Sequence, residues 1–112
     1  MKYKSFAVIV CQKDVADIFK YIFEKYLIPV ERSNFEINFN PYTSPTYILN
    51  CLNGSALHFQ PPDEKLMRGT QFNAIHIICD TANFQPEEFG TKNIPLDDLM
   101  REFLEINSKE TP

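Results

Sequence analysis

Tryptophan is absent from this chain, glycine occurs only three times, and no apolar run is long enough to cross a bilayer. Each shortage excludes something. So few glycines leave no room for long flexible linkers and no glycine-rich loop to wrap an anion. Without a run of roughly 18 apolar residues, no transmembrane helix and no membrane partner are expected. The N-terminal MKYKSFAVIVCQKD has a short apolar stretch that Lys13 and Asp14 cut off, which is not the hydrophobic region of a signal peptide. Cysteine is sparse: Cys11, Cys51 and Cys79 are an odd set without C-x-x-C spacing, so no metal site is expected. Each lies among apolar residues and reads as a buried free thiol in a reducing cytoplasm. Basic excess is also missing. Lys and Arg total 11 against 15 Asp and Glu, a net charge of −4, and the lysines are dispersed among acids. Nucleic acid is therefore not an expected partner, and a protein with a basic face fits better.

What is present is the material for a core. Ten Phe, five Tyr and 44% hydrophobic residues in 112 positions suit one compact domain spanning residues 1–112. Residues 6–11 (FAVIVC) are a continuous, largely β-branched run, which predicts a strand buried on both faces. Asp14 stands where a helix N-cap would, and residues 14–28 repeat Val15, Ile18, Phe19, Ile22 and Tyr26 at helical spacing before Pro29. Phe35, Ile37 and Phe39 alternate with polar residues and predict a half-buried strand. Asn53-Gly54 between residues 46–52 and 55–60 is a hairpin signal. Residues 61–65 (PPDEK) read as an exposed loop. Residues 73–79 predict a second doubly buried strand. Pro95 opens a C-terminal helix with Leu96, Leu99, Met100, Phe103 and Ile106 on its dry side. The expected fold class is α/β: a small mixed sheet with two parallel central strands, an Asn-Gly hairpin and two helices.

Several residues carry candidate chemistry. His58 and His76 lie in strands beside apolar neighbours, where a lone His is packed and hydrogen-bonded rather than catalytic. Asp97, Asp98, Glu102 and Glu105 lie on the wet side of the last helix and form a candidate acidic face for a protein partner. Cys79-Asp80 closes the run Ala74-Ile75-His76-Ile77-Ile78, and Arg68-Gly69 precedes it. On composition alone, Arg68 is a solvated loop residue and Asp80 a strand-end residue.

These last motifs carry a resemblance. The order of residues 4–90, with a first strand and helix, a strand–Asn-Gly-Ser–strand element, Arg-Gly and then an apolar run ending at Cys79-Asp80, resembles viral terminase-type DNA-packaging ATPases. In that family the equivalent strand ends in paired carboxylates. Here the first position is Cys79, a soft thiol poorly suited to Mg²⁺. No G-x-x-x-x-G-K-[ST] exists to cradle phosphates. The resemblance therefore implies a degenerate P-loop fragment without ATPase chemistry and without a cofactor, with Arg68, Gly69, Cys79 and Asp80 as motif remnants. The family's missing companion strands would leave residues 73–79 with a bare edge, covered by the C-terminal helix or by another chain. The functional expectation is a non-catalytic protein-interaction module, an inhibitor or modulator of a phage or host motor ATPase or packaging component. The alternative is a small acidic immunity protein that blocks a toxic enzyme. A homodimer stays open.

Overall fold

The computed structural model describes residues 4–27, 35–40, 46–51, 54–69, 71–79 and 85–109. Five strands make one mixed sheet in the order β2-β3-β4-β1-β5. The strands are β1 (Ser5–Ile9), β2 (Phe35–Asn40), β3 (Thr46–Cys51), β4 (Ala56–Gln60) and β5 (Ala74–Ile77). β1 runs parallel to both β4 and β5, while β2, β3 and β4 pair antiparallel. This is the mixed α/β architecture expected, with β1 and β4 as the parallel central pair. The second apolar run does lie parallel to β1, but it is shorter than residues 73–79 and occupies an edge.

β1 is central because it has no polar face to offer. Phe6, Val8 and Val10 enter one core and Ala7 and Ile9 the other, all at 1% exposure or less. The first core is covered by helix α1 (Val15–Ile22) and helix α3 (Leu96–Lys109). Phe19 of α1 stacks on Tyr47 at 4.2 Å and meets Phe59 edge-on at 5.1 Å. The second core is thinner. Met67 and Phe72 cover Ala7, Ile9 and Ile75, and Met67 belongs to a short helix, α2 (Glu64–Gly69).

Several local expectations need correction. α1 is preceded by a tight turn at Gln12–Asp14 and ends at Ile22, where a wider π-type turn, Phe23–Leu27, takes over. Asp14 occupies the cap position but makes no side-chain cap hydrogen bond. Among the described residues there are three α-helices rather than two, because the loop expected at residues 61–65 ends at Asp63 and α2 begins at Glu64. Asp63 starts it: its Oδ1 accepts the Lys65 N–H at 2.9 Å and its carbonyl the Met67 N–H at 3.1 Å. Ile37 lies at a rim of the sheet and is 47% exposed despite its inward-type alternation. Gly54 has φ +93°, the left-handed backbone that the Asn-Gly hairpin predicted. Asn53 lies outside the described residues.

The edge of β5 is not bare. The Ile75 N–H donates to the Lys92 carbonyl at 2.8 Å, and the Ile94 N–H donates to the Ile75 carbonyl at 2.9 Å. The Ile77 N–H reaches Asn93 Oδ1 at 3.3 Å. Among the described residues the cover is the segment before α3 rather than the helix itself. At the start of the strand, Asn73 clips β5 to β1. Its N–H donates to the Ser5 carbonyl at 2.7 Å, and its Oδ1 accepts the Ser5 N–H at 2.9 Å.

Candidate functional site

α3 is fixed by its dry side. Leu99, Met100 and Phe103 are fully buried, and the Phe103 ring meets Phe6 edge-to-face at 6.3 Å. Helical spacing then sends Asp98, Arg101, Glu102 and Glu105 outward along one stripe. Together with Lys92 and Ile94 they line an open groove of about 410 Å³. The floor of the groove is held by the same contacts that close the β5 edge, and His76 Nδ1 adds a hydrogen bond to the Ile94 carbonyl at 2.8 Å. The groove is thus a product of two elements, one helix and one strand-like segment.

The acidic face expected from the sequence is divided. Asp97 turns away from the groove and accepts a hydrogen bond from the Tyr26 hydroxyl. That bond, with partial burial as a second cause, holds the Tyr26 phenol above its usual pKa. Beside it, Lys25 donates to the Tyr21 hydroxyl at 3.3 Å, and that bond raises the pKa of its ammonium group. In the groove itself Asp98 forms an ion pair with Arg101, both well exposed. An exposed pair of this kind adds little stability. Its effect is to leave the groove with an alternating charge pattern: Lys92 on one rim, the Asp98–Arg101 pair, then the carboxylates of Glu102 and Glu105.

The motif remnants are not brought together. Arg68 is on α2, not in a loop, and its guanidinium lies 5.4 Å from the Phe89 ring centroid. It lines a second hollow, about 320 Å³, with Met67, Gln71, Glu88 and Phe89. Gly69 is exposed, and a Cβ there would meet nothing within 4 Å, so no close approach requires glycine. Cys79 is 4% exposed and lines neither hollow. Asp80 lies outside the described residues. Arg68-Gly69 precedes the start of β5 and Cys79 follows its end, so the strand separates them.

The expectation of free thiols is overturned for two of the three cysteines. Cys11 and Cys79 form a disulfide, with Cα atoms 4.9 Å apart. Each residue follows the end of a strand, β1 and β5, that runs parallel to the other, so the sheet register places them side by side. That adjacency is readable in principle: two buried runs, each closing on Cys, are the two strands expected to be parallel. The Cys51 side chain lies outside the described residues.

Both histidines are packed as expected. His58 meets Phe72 edge-on at 5.1 Å on the second core face. Burial pushes its pKa down to about 4, only partly opposed by a hydrogen bond with Gln60. Gln60 is itself buried, with its amide 3.7 Å from the Met67 sulfur. Among the described residues no group of three His, Cys, Asp or Glu is placed to hold a metal ion. Likewise, none of the helices they form is long and apolar enough to cross a membrane. Compared with protein-family models, curated proteins and solved structures, the chain matches none. The terminase resemblance accordingly rests on sequence motifs alone.

Proposed function

We propose that this chain is a non-catalytic protein-interaction module that docks a basic-faced partner in the groove between α3 and residues 92–94. The observation that carries the reading is the rigid presentation of that groove. Three fully buried side chains anchor α3 while Asp98, Arg101, Glu102 and Glu105 project from its other side. A net charge of −4 supports the same partner chemistry at longer range. The partner classes expected from the sequence, a motor ATPase or packaging component and, as the alternative, a toxic enzyme, would both engage the module here. Docking by strand addition at β5 is the less favoured route, because residues 92–94 occupy its hydrogen-bonding edge.

The test is a comparison of the wild-type chain with a Glu102→Gln/Glu105→Gln variant. A partner captured from cells that express the protein is identified by mass spectrometry, purified, and its association rate measured against salt. The rate for the variant should fall several-fold at low salt, with a flatter salt dependence. Equal rates and equal salt slopes would remove the groove from the account.

A further inference from the structure

We infer that Cys11 and Cys79 are a reversible redox pair, open to thiol–disulfide exchange with a small thiol or a dithiol protein through the Cys11 sulfur. This site lies at the carboxyl ends of parallel strands β1 and β5, and the inference does not depend on the docking reading. Three observations carry it.

The two partners of the bond are unequal. Cys79 is 4% exposed, whereas Cys11 is only partly buried. An incoming thiolate therefore meets Cys11 first. The local backbone also differs. Cys11 caps the turn Gln12–Asp14 that leads directly into α1, and its carbonyl accepts the Asp14 N–H at 2.8 Å. That hydrogen bond holds the Cys11 backbone independently of the disulfide, so the more exposed of the two sulfurs is the one an incoming thiol reaches. Finally, β5 does not rely on the bond for its place. Beyond its ladder with β1, the Ile78 and Cys79 N–H groups both reach the Ile9 carbonyl, at 2.8 and 3.2 Å. Ile75 and Ala74 remain in the two cores. The reduced chain thus has a folded state to occupy, which a reversible switch needs.

The exchange balances without any other reactant. A thiolate RS⁻ attacks Cys11 Sγ, forming an RS–Cys11 bond while the Cys11–Cys79 bond breaks. Cys79 leaves as a thiolate and takes a proton from water. A second thiolate then attacks the R sulfur, releasing Cys11 as a thiolate that also gains a proton. Two thiols have become one disulfide, and the protein disulfide has become two thiols. Oxidised glutathione drives the reverse sequence.

The test uses the full chain in a Cys51→Ser background, equilibrated in glutathione redox buffers and trapped with a maleimide–polyethylene glycol reagent. Expected are two free thiols in the reduced state and none in the oxidised state, interconverting with native circular dichroism in both. In single variants, Cys79→Ser should form a mixed disulfide with glutathione at Cys11 about tenfold or more faster than Cys11→Ser does at Cys79. Where a variant fails to fold, the order of alkylation in the partly reduced parent, read by mass spectrometry, decides instead, with Cys11 labelled first. The inference is overturned by any of three results: two free thiols that persist under oxidised glutathione, a bond that opens only in denaturant, or equal rates at the two positions.

Discussion

His58 sets the clearest expectation at the scale of single residues. Its imidazole is held neutral in the second core, with a pKa near 4 against an ordinary 6.5. The unfolded chain therefore binds more protons at this position than the folded one between these values. Stability is fully present above pH 6.5 and declines as pH falls towards 4. The loss is at most about 3 kcal/mol, reduced by solvent screening at the exposed part of the ring. Urea unfolding of the wild type from pH 7.5 to 4 should show this slope, and His58→Leu should flatten it; parallel slopes would mean that His58 is solvated. Gly69 gives a contrasting case. Its neighbour Arg68 lies over the Phe89 ring, but the glycine has open space and no positive φ. Gly69→Ala should leave stability unchanged or raise it by up to about 1 kcal/mol, because α2 gains a better helix former. The sequence told the packed histidines correctly, since a lone polar ring among strand hydrophobics has few other fates. It misread the cysteines, because apolar surroundings indicate burial but not which buried sulfurs meet.

Among elements, α3 separates its structural and exposed sides most sharply. Phe103→Ala removes a fully buried ring packed on Phe6 and should cost about 3–5 kcal/mol. Glu102→Ala, on the outer stripe, should change stability by less than about 0.5 kcal/mol. Denaturant titration of the two variants checks both values together. β5 adds a measurement of its edge. The Ile75 and Ile94 amides should exchange slowly with solvent, since each is bonded across the 92–94 cover. Rapid exchange at both would restore an open edge. α1, α3 and β2 were legible because their apolar residues repeat at the period of the element, β1 and β5 because they are continuous apolar runs, and β3 and β4 from the Asn-Gly turn between them. α2 was not, because six residues are too few to display a helical period and Pro61-Pro62 announced a loop. The usable signal was Asp63, whose side chain accepts the Lys65 N–H. The groove was half legible for a similar reason. The acids of α3 follow from helical spacing, but Lys92 and Ile94 reach it only through a strand-edge pairing that no local pattern encodes.

For the whole molecule, the disulfide joins residues 68 apart in sequence and so restrains most of the unfolded chain. Loop-closure entropy assigns it about 4 kcal/mol. Thermal unfolding with and without a reductant should therefore show a large drop in midpoint while the reduced protein stays folded at room temperature. An unchanged midpoint would mean that the bond is absent from the purified protein. The molecule otherwise divides into two unequal halves: a deep core under α1 and α3, and a shallow one under α2. The deep half carries the groove, and the charge of the whole chain suits a basic visitor. Photo-crosslinking tests that claim most directly. A photoreactive residue is placed at position 102 in the groove or, as a control, at exposed position 65 on α2, in cells that express the protein. The account predicts a discrete protein adduct from position 102 that is absent from position 65. No adduct at 102, or the same adducts from both positions, would contradict it.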